Sequence, residues 1–445
     1  YGYEDKMKRI LLGLLCALPL AAEPLTFERL ISSVETEPAV QAGEKKRKAI
    51  QSGTSTKLWN SLELQYKLDG FGFMEHDFEL RFKPKVFGEG SSTEEYWKAQ
   101  SSYQQSRANF YRSFLVYERY ERALRYLTQK RKQQLHLDMA AVNKDRLEVL
   151  HLKSGSETFN PENLISALER ESELQAELIA DSNALRDIEM KFHSWVDFDS
   201  VALDTSFLPK ISDIETLLKE PLLVDDTYSA VAMAKQKWNV ESKQYEQEKT
   251  GSNKIISSIG IGYKHSFGSY EYDSVKTGTY SYDYENKVAV ADKKWEITRK
   301  DDDRRTRDKF YASLTLRLPF FGTDGGDETK RQLDVLEAES DYLDEKRSIT
   351  QKVARLREET LALIAQRNVQ KNFVERVDAG DVFKEFAARS GSDPLLLLRA
   401  RDVSLESEIK ALQLEYEIYS RYLILLDYAG KLASPDISTH FKLEK

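Results

Sequence analysis

Six histidines are the side chains best suited to hold a metal ion or move a proton: His76, His136, His151, His193, His265 and His440. They are scattered over separate segments with no ligand spacing, so none is assigned to a metal. Asp301-Asp302-Asp303 has the look of a cation site, but Arg304-Arg305 follows at once, as in a solvated charged loop. No glycine-rich phosphate loop, nucleophile elbow or paired-carboxylate pattern stands out. These residues predict no enzyme, no cofactor and no metal.

The chemistry the sequence does offer is that of a polar wall. Leu62, Leu64, Tyr66 and Leu68 alternate with Glu63, Gln65 and Lys67, and Phe78, Leu80 and Phe82 alternate with Glu79, Arg81 and Lys83. Period two makes each run a strand with one apolar and one charged face. Asp69-Gly70-Phe71-Gly72 starts the turn of this hairpin, 61–87. A second pair within 255–320 carries Ile259, Ile261 and Tyr263, then Phe310, Ala312, Leu314, Leu316 and Leu318. Such hairpins also occur in soluble sandwiches, but no natural sheet-covering layer accompanies these. In a bilayer an open sheet edge leaves backbone groups unsatisfied, so spanning strands must close into a barrel, which in bacteria takes about eight strands or more. Four strands in one chain do not close. If they span, several copies share one barrel, with Glu63, Gln65, Lys67, Arg81, Lys83 and Arg317 facing a watery lumen.

Long helices position these strands. After Gly90 the chain has about sixty residues without proline or glycine, some 90 Å of helix at about 1.5 Å per residue. Tyr96, Tyr103, Phe110, Tyr117 and Leu124 recur at heptad spacing along it, a coiled-coil-like seam. Ser154-Gly155-Ser156 ends the helix, and Asn160-Pro161 starts an antiparallel return helix to about Trp195. From about Asp226 the same order replays. Val335, Tyr342, Ile349, Leu356 and Leu363 form a second seam up to about Arg389, and Leu405, Leu412, Tyr419 and Leu426 a third. Glu79-Leu80-Arg81-Phe82 parallels Thr315-Leu316-Arg317-Leu318, and Ser154-Gly155-Ser156 parallels Ser390-Gly391-Ser392, which predicts a duplicated unit.

The expected organisation is a signal peptide 1–22, a first repeat 23–195, a connector 196–225, a second repeat 226–432 and a tail 433–445. Lys8-Arg9 and the apolar run from Ile10 to Leu18, ending at Ala21-Ala22, carry the signal, with Met7 as its start. Cys16, the one cysteine, leaves with it, unless it is a lipidation site. The loop 268–308, rich in Tyr, Asp and Lys, is the main asymmetry, and alternation at Tyr280, Tyr282 and Val288-Ala289-Val290 suggests that parts of it extend the hairpin. At 445 residues and net charge −8 the chain has no basic footprint for nucleic acid. The cluster Gln129-Lys130-Arg131-Lys132 fits a solvated helix face.

Leu316-Arg317-Leu318-Pro319-Phe320-Phe321-Gly322, the stretch from Arg389 through Ser390-Gly391-Ser392-Asp393-Pro394 to Ala400, and the duplicated order resemble TolC-like outer-membrane efflux factors over nearly the whole mature chain. The motifs are degenerate one by one, and their order and spacing carry the likeness. The resemblance implies an α+β fold: a homotrimer with four strands per chain closing a twelve-stranded barrel in outer-membrane lipid, and a long α-helical coiled-coil barrel crossing the periplasm. It implies a periplasmic adaptor and an inner-membrane pump as partners, in efflux or type I secretion. Gly155 and Gly391 would lie at the periplasmic tip. Where that family narrows its entrance with acids, alignment on Arg399-Ala400 puts Leu396 and Arg399, so the acidic ring is missing and an apolar or basic constriction is expected, with Asp393 a partial substitute. Arg399 and Asp393 are the expected polar latch. A structural or adhesive coiled-coil protein is the alternative.

Overall fold

The computed structural model describes residues 23–441 apart from 54–58, 70–74, 87, 156–158, 253–254, 268–271, 284, 300–306, 317–324 and 379–393. The described chain is mostly helical, with a small antiparallel sheet. It divides into two compact units.

The helical unit gathers Tyr1–Gln51, Gln100–Asn239 and Glu337–Lys445. Its elements are α1 (Phe27–Ser32), most of α2 (Pro38–Gly53), the greater part of α3 (Glu89–Lys153), α4 (Pro161–His193), α5 (Ile211–Lys219), the start of α6 (Ser229–Ser252), most of α7 (Gly325–Asp378) and α8 (Pro394–Tyr428). With 65 residues α3 is about 98 Å long. Its first turn is set by the Glu89 carboxylate, which accepts from the Val86 N–H at 2.7 Å, and by Gly88 at φ +87°, a left-handed conformation that glycine takes without a Cβ penalty. Asn160 caps α4, its side chain accepting from the Glu162 N–H at 2.9 Å, with Pro161 at the first helical position.

Ser113, Val116, Tyr120 and Leu124 of α3 line up at helical spacing as a buried stripe. Val116, Tyr120 and Leu124 pack with Ile349 and Val353 of α7 and with Ile418, Leu425 and Leu426 of α8 in the main core. Each such leucine contributes about 1.5–3 kcal/mol by leaving water. Of the heptad seams, Leu124, Tyr342, Ile349, Leu356, Leu405 and Leu426 are buried, whereas Tyr96, Tyr103, Phe110 and Tyr117 are half-buried. Leu25 joins the fold as a short parallel bridge, taking a hydrogen bond from Ala202 and donating one to Ser200.

The core also encloses charge. Arg119, fully buried, pairs with Glu37 and with Glu118 and lies 3.8 Å over the Trp195 ring. His136 is buried between α3 and α4, its Nδ1 2.6 Å from Asp181, which also accepts from Gln129. His440, buried in the tail, holds Tyr120 Oη at 2.9 Å on Nδ1 and the Ser434 carbonyl at 2.7 Å on Nε2. These two histidines have structural partners.

The second unit, Ser52–Ala99 with Val240–Leu336, holds the strands. β1 (Trp59–Asp69), β2 (Glu75–Pro84), β3 (Ile256–Ser266) and β6 (Arg307–Leu316) form one antiparallel sheet in the order β1-β2-β3-β6. β4 (Tyr272–Asp283) and β5 (Val288–Arg299) form a separate ribbon, so the loop expected over 268–308 is largely a second hairpin. Two further differences concern boundaries. β1 opens at Trp59, two residues before the expected hairpin 61–87, and the connector 196–225 contains α5, whose Ile211, Ile214 and Leu218 are buried. No described helix is long and apolar enough to cross a membrane.

Candidate functional site

The four-stranded sheet is a candidate site because its two faces break the usual rule of burial. Register aligns its outward residues in complete rows. Leu64, Leu80, Ile261 and Ala312 form one row, and Leu62, Phe82, Ile259 and Leu314 the row below it. The row above is entirely aromatic: Tyr66, Phe78, Tyr263 and Phe310. The Tyr66 and Phe78 rings lie 4.6 Å apart, and those of Tyr263 and Phe310 5.0 Å apart. The outermost row is Leu68, His76, His265 and Asp308, with His265 Nδ1 2.7 Å from Asp308. Most of this face is exposed, Leu64 by 72% and Phe310 by 81%.

The opposite face is polar and sheltered. Glu79 is only 6% exposed. It accepts from Arg81 at 2.7 Å and from the Ser313 hydroxyl at 2.5 Å. Ser313 lies two strands away, and the contact passes over Gly260 of β3, where a Cβ would overlap both partners. Likewise Tyr311 donates to Asp77 at 2.7 Å, and a Cβ on Gly262 would run into the Tyr311 ring. Two glycines at alternate positions thus clear a lane on β3 that side chains from β2 and β6 close over. Lys83 pairs with Glu63 at 2.5 Å and Lys264 with Glu75 at 2.6 Å.

The residues predicted for a lumen therefore meet on one face: Glu63, Gln65, Lys67, Arg81 and Lys83 share it, and Arg317 lies outside the described residues. Sequence reasoning missed Asp77, Tyr311, Ser313 and the glycine lane. The signal was present in Gly260-x-Gly262, two glycines on the polar phase of an otherwise regular strand.

Three of the predicted tip residues, Gly155, Leu396 and Arg399, lie among the described residues. Gly155 is exposed at the end of α3 with open space around its Cα, and Gly391 and Asp393 lie outside the described residues. At the start of α8, Leu395 packs with Leu147, Leu150, Leu164 and Ala167, while Leu396 is 51% exposed and Arg399 is exposed. One turn beyond Arg399 stands an acid that the sequence reading did not single out. Asp402 has a buried Oδ1 without a hydrogen-bond partner, and burial pushes its carboxyl above the usual carboxylate range, against the pull of Arg170. Arg170 of α4 bridges to Glu406 of α8 at 3.3 Å. Among the described residues no group of three or more His, Cys, Asp or Glu could hold a metal ion.

Long paired helices joined to a sheet with apolar outward rows define a class, the TolC-like outer-membrane channel fold, and this chain has that fold. CusC, solved in a study of transmembrane channel formation, matches with a TM-score of 0.61 at 11% identity, covering 93% of this chain and 95% of its own. The outer membrane protein VceC of Vibrio cholerae matches at 0.60 with 10% identity, covering 91% and 96%. The MtrE outer membrane channel of Neisseria gonorrhoeae matches at 0.62 with 11% identity, covering 93% and 90%. No family model and no curated protein matches the sequence.

Proposed function

We propose that the chain is one protomer of an outer-membrane channel, the exit duct of a tripartite efflux or type I secretion system. The observation that carries this is the inverted sheet, whose rows Leu62 to Phe310 are apolar and exposed while Glu79 is buried. An exposed surface of that kind suits a hydrocarbon solvent, and β1 and β6 are edges that hydrocarbon does not tolerate open. Three copies, pairing β1 of one with β6 of the next, close a twelve-stranded barrel around the polar face. The helices then extend into the periplasm of a Gram-negative cell and meet a periplasmic adaptor and an inner-membrane pump.

The use of the same fold as an outer-membrane channel by OprN and MtrE supports this reading. The repeated element order, helix, two sheet strands, long helix and return helix, supports a duplicated origin. Gly155, Gly391, Asp393, Leu396 and Arg399 form the gating tip in this scheme, with Asp402 beside it.

The test is extraction in detergent with the oligomer mass measured, cysteine pairs along β1 and β6 cross-linked between chains, and conductance recorded in a planar bilayer. Three-chain mass, inter-chain cross-links and steady conductance are expected. A monomer that is soluble without detergent and carries no current overturns the proposal. For the latch, D393A/R399A is expected to raise the conductance of the closed channel, and unchanged conductance removes these residues from the gate.

A further inference from the structure

A cavity of about 710 Å³ opens within the helical unit, where the start of α1, the segment before α5 and the tail after α8 come together over α3. Four aromatic residues line it. Phe27 and Phe207 stack with their ring centroids 3.9 Å apart and their planes 3° from parallel. Tyr120 is tilted against Phe27 at 4.8 Å, and Phe441 stands edge-on to Tyr120 at 5.1 Å. Tyr120 is fully buried, whereas the three phenylalanines are half-buried, so phenyl surface is left open to the cavity. The tail wall is held in place through His440. The Ser434 carbonyl accepts from Nε2 at 2.7 Å, which leaves Nδ1 of the neutral imidazole to accept from the Tyr120 hydroxyl at 2.9 Å.

The charge around these rings is of one sign. Glu28 and Asp204, both exposed, line the cavity, and among the described residues no lysine, arginine or histidine does. Arg29, next to Glu28, is turned to the carbonyls of Glu23 at 2.5 Å and Asp197 at 2.8 Å. The Ser206 hydroxyl donates to Asp204 at 2.5 Å and the Ser206 N–H at 3.0 Å, which holds the Asp204 carboxyl below the usual carboxylate range. Both contacts fall on Oδ1, so Oδ2 has no partner among the described residues. Aromatic faces and carboxylates attract the same kind of guest, since the ring quadrupole draws a cation as a negative charge does. A small hydrated ion would leave the phenyl surface against water. An apolar body with a fixed positive charge covers the rings and neutralises the acids together, and cavities of about 300–1,000 Å³ suit molecules of drug size.

We propose that this cavity binds a drug-sized organic cation, with the apolar body against Phe27, Phe207 and Phe441 and the positive charge toward Glu28 and Asp204. Charge complementarity selects this guest over a neutral or anionic one of the same shape. The site lies wholly within the helical unit and does not depend on the channel reading.

The experiment uses the whole protein in non-ionic detergent, with protein-free micelles as the baseline, and follows naphthylmethyl-trimethylammonium by calorimetry. Naphthylmethanol serves as the neutral probe of similar shape and naphthalenesulfonate as the anionic one. E28Q/D204N removes the charge and keeps the size of both side chains, F207L keeps apolar volume and removes a ring, and E169Q/E171Q makes the same charge change at exposed positions of α4. The wild type is expected to bind the naphthyl cation saturably, one per chain, at least about tenfold more tightly than the alcohol. E28Q/D204N should lose that preference, F207L should bind the cation several-fold more weakly, and E169Q/E171Q should bind as the wild type does. No saturable binding, equal affinity for the sulfonate, an undiminished preference in E28Q/D204N or an equal loss in E169Q/E171Q overturns the proposal. So does tighter capture of N-acetyl-lysine amide than of the naphthyl cation, which would make the occupant a partner's side chain. A protein without conductance sinks the channel reading, while the binding comparison still decides this one.

Discussion

The helical unit and the sheet follow opposite rules with the same alphabet. In the helical unit Val116, Tyr120 and Leu426 are fully buried and most of the charge lies outside. In the sheet Leu64, Leu80 and Ile261 are outside, and Glu79 is folded in under Ser313 and Arg81. Apolar surface flees water in both cases, and under the proposed function what differs is the medium each surface meets. Amphipathic alternation taken alone does not distinguish the two, because a period-two strand looks alike with either face outward. The distinction comes from the opposite face, where the polar groups pair with one another instead of facing bulk water.

The largest expected effect tests the helical rule where it is most strained. Glu37→Ala leaves Arg119, which is 1% exposed, with one carboxylate fewer, and should cost about 3 kcal/mol in chemical denaturation of the helical unit. Next, Leu64→Lys places a charge in the middle of the outward face. If the proposed barrel forms, it should lose about 2–4 kcal/mol of stability, read as a less heat-resistant oligomer on gels. Gln351→Lys, at an exposed position of α7, should stay within about 0.5 kcal/mol. Equal tolerance at both positions would erase the contrast between the regions. Gly260→Val tests the sheltered face, since its side chain displaces the Glu79 and Ser313 contact. A loss of about 1–3 kcal/mol in the stability of the sheet is expected, read by thermal melting.

The smallest effect is in pH. Burial, with a lesser push from Arg112, holds the His440 imidazole below its ordinary value, against the Ser434 carbonyl and Asp436. A depressed histidine binds fewer protons folded than unfolded. Its contribution is therefore present above the ordinary value of 6.5 and is lost as pH falls through the folded value. Protection factors for hydrogen exchange over Ile437–Thr439, corrected for the intrinsic pH dependence of exchange, should fall on acidification, and His440→Gln should flatten that dependence.

The strands and long helices were legible because alternation and heptads are periodic signals that survive loss of sequence identity. The glycine lane was not, because its contribution is an absence: Gly260 and Gly262 matter for what reaches over them. The short helix Ile211–Lys219 escaped notice between Pro209 and Pro221 because two and a half turns give too few repeats to separate from noise. At the start of α8, Leu395-Leu396-Leu397-Leu398 offers four candidates in a row, and such a run carries no phase. Only packing selects Leu395 for the interior and leaves Leu396 outside. Asp402 was missed because nothing in the sequence marks one carboxylate of a charged helix as buried.

The unpaired backbone of β1 and β6 has a genetic consequence. Under the proposed trimer no copy completes its own sheet, so each allele's product is finished by its neighbours. A chain damaged along either edge, made beside an intact one, would spoil the assemblies it enters and behave as dominant in a cell carrying both. A chain damaged in a helical core such as that around Leu426 would fail before meeting its partners and behave as recessive.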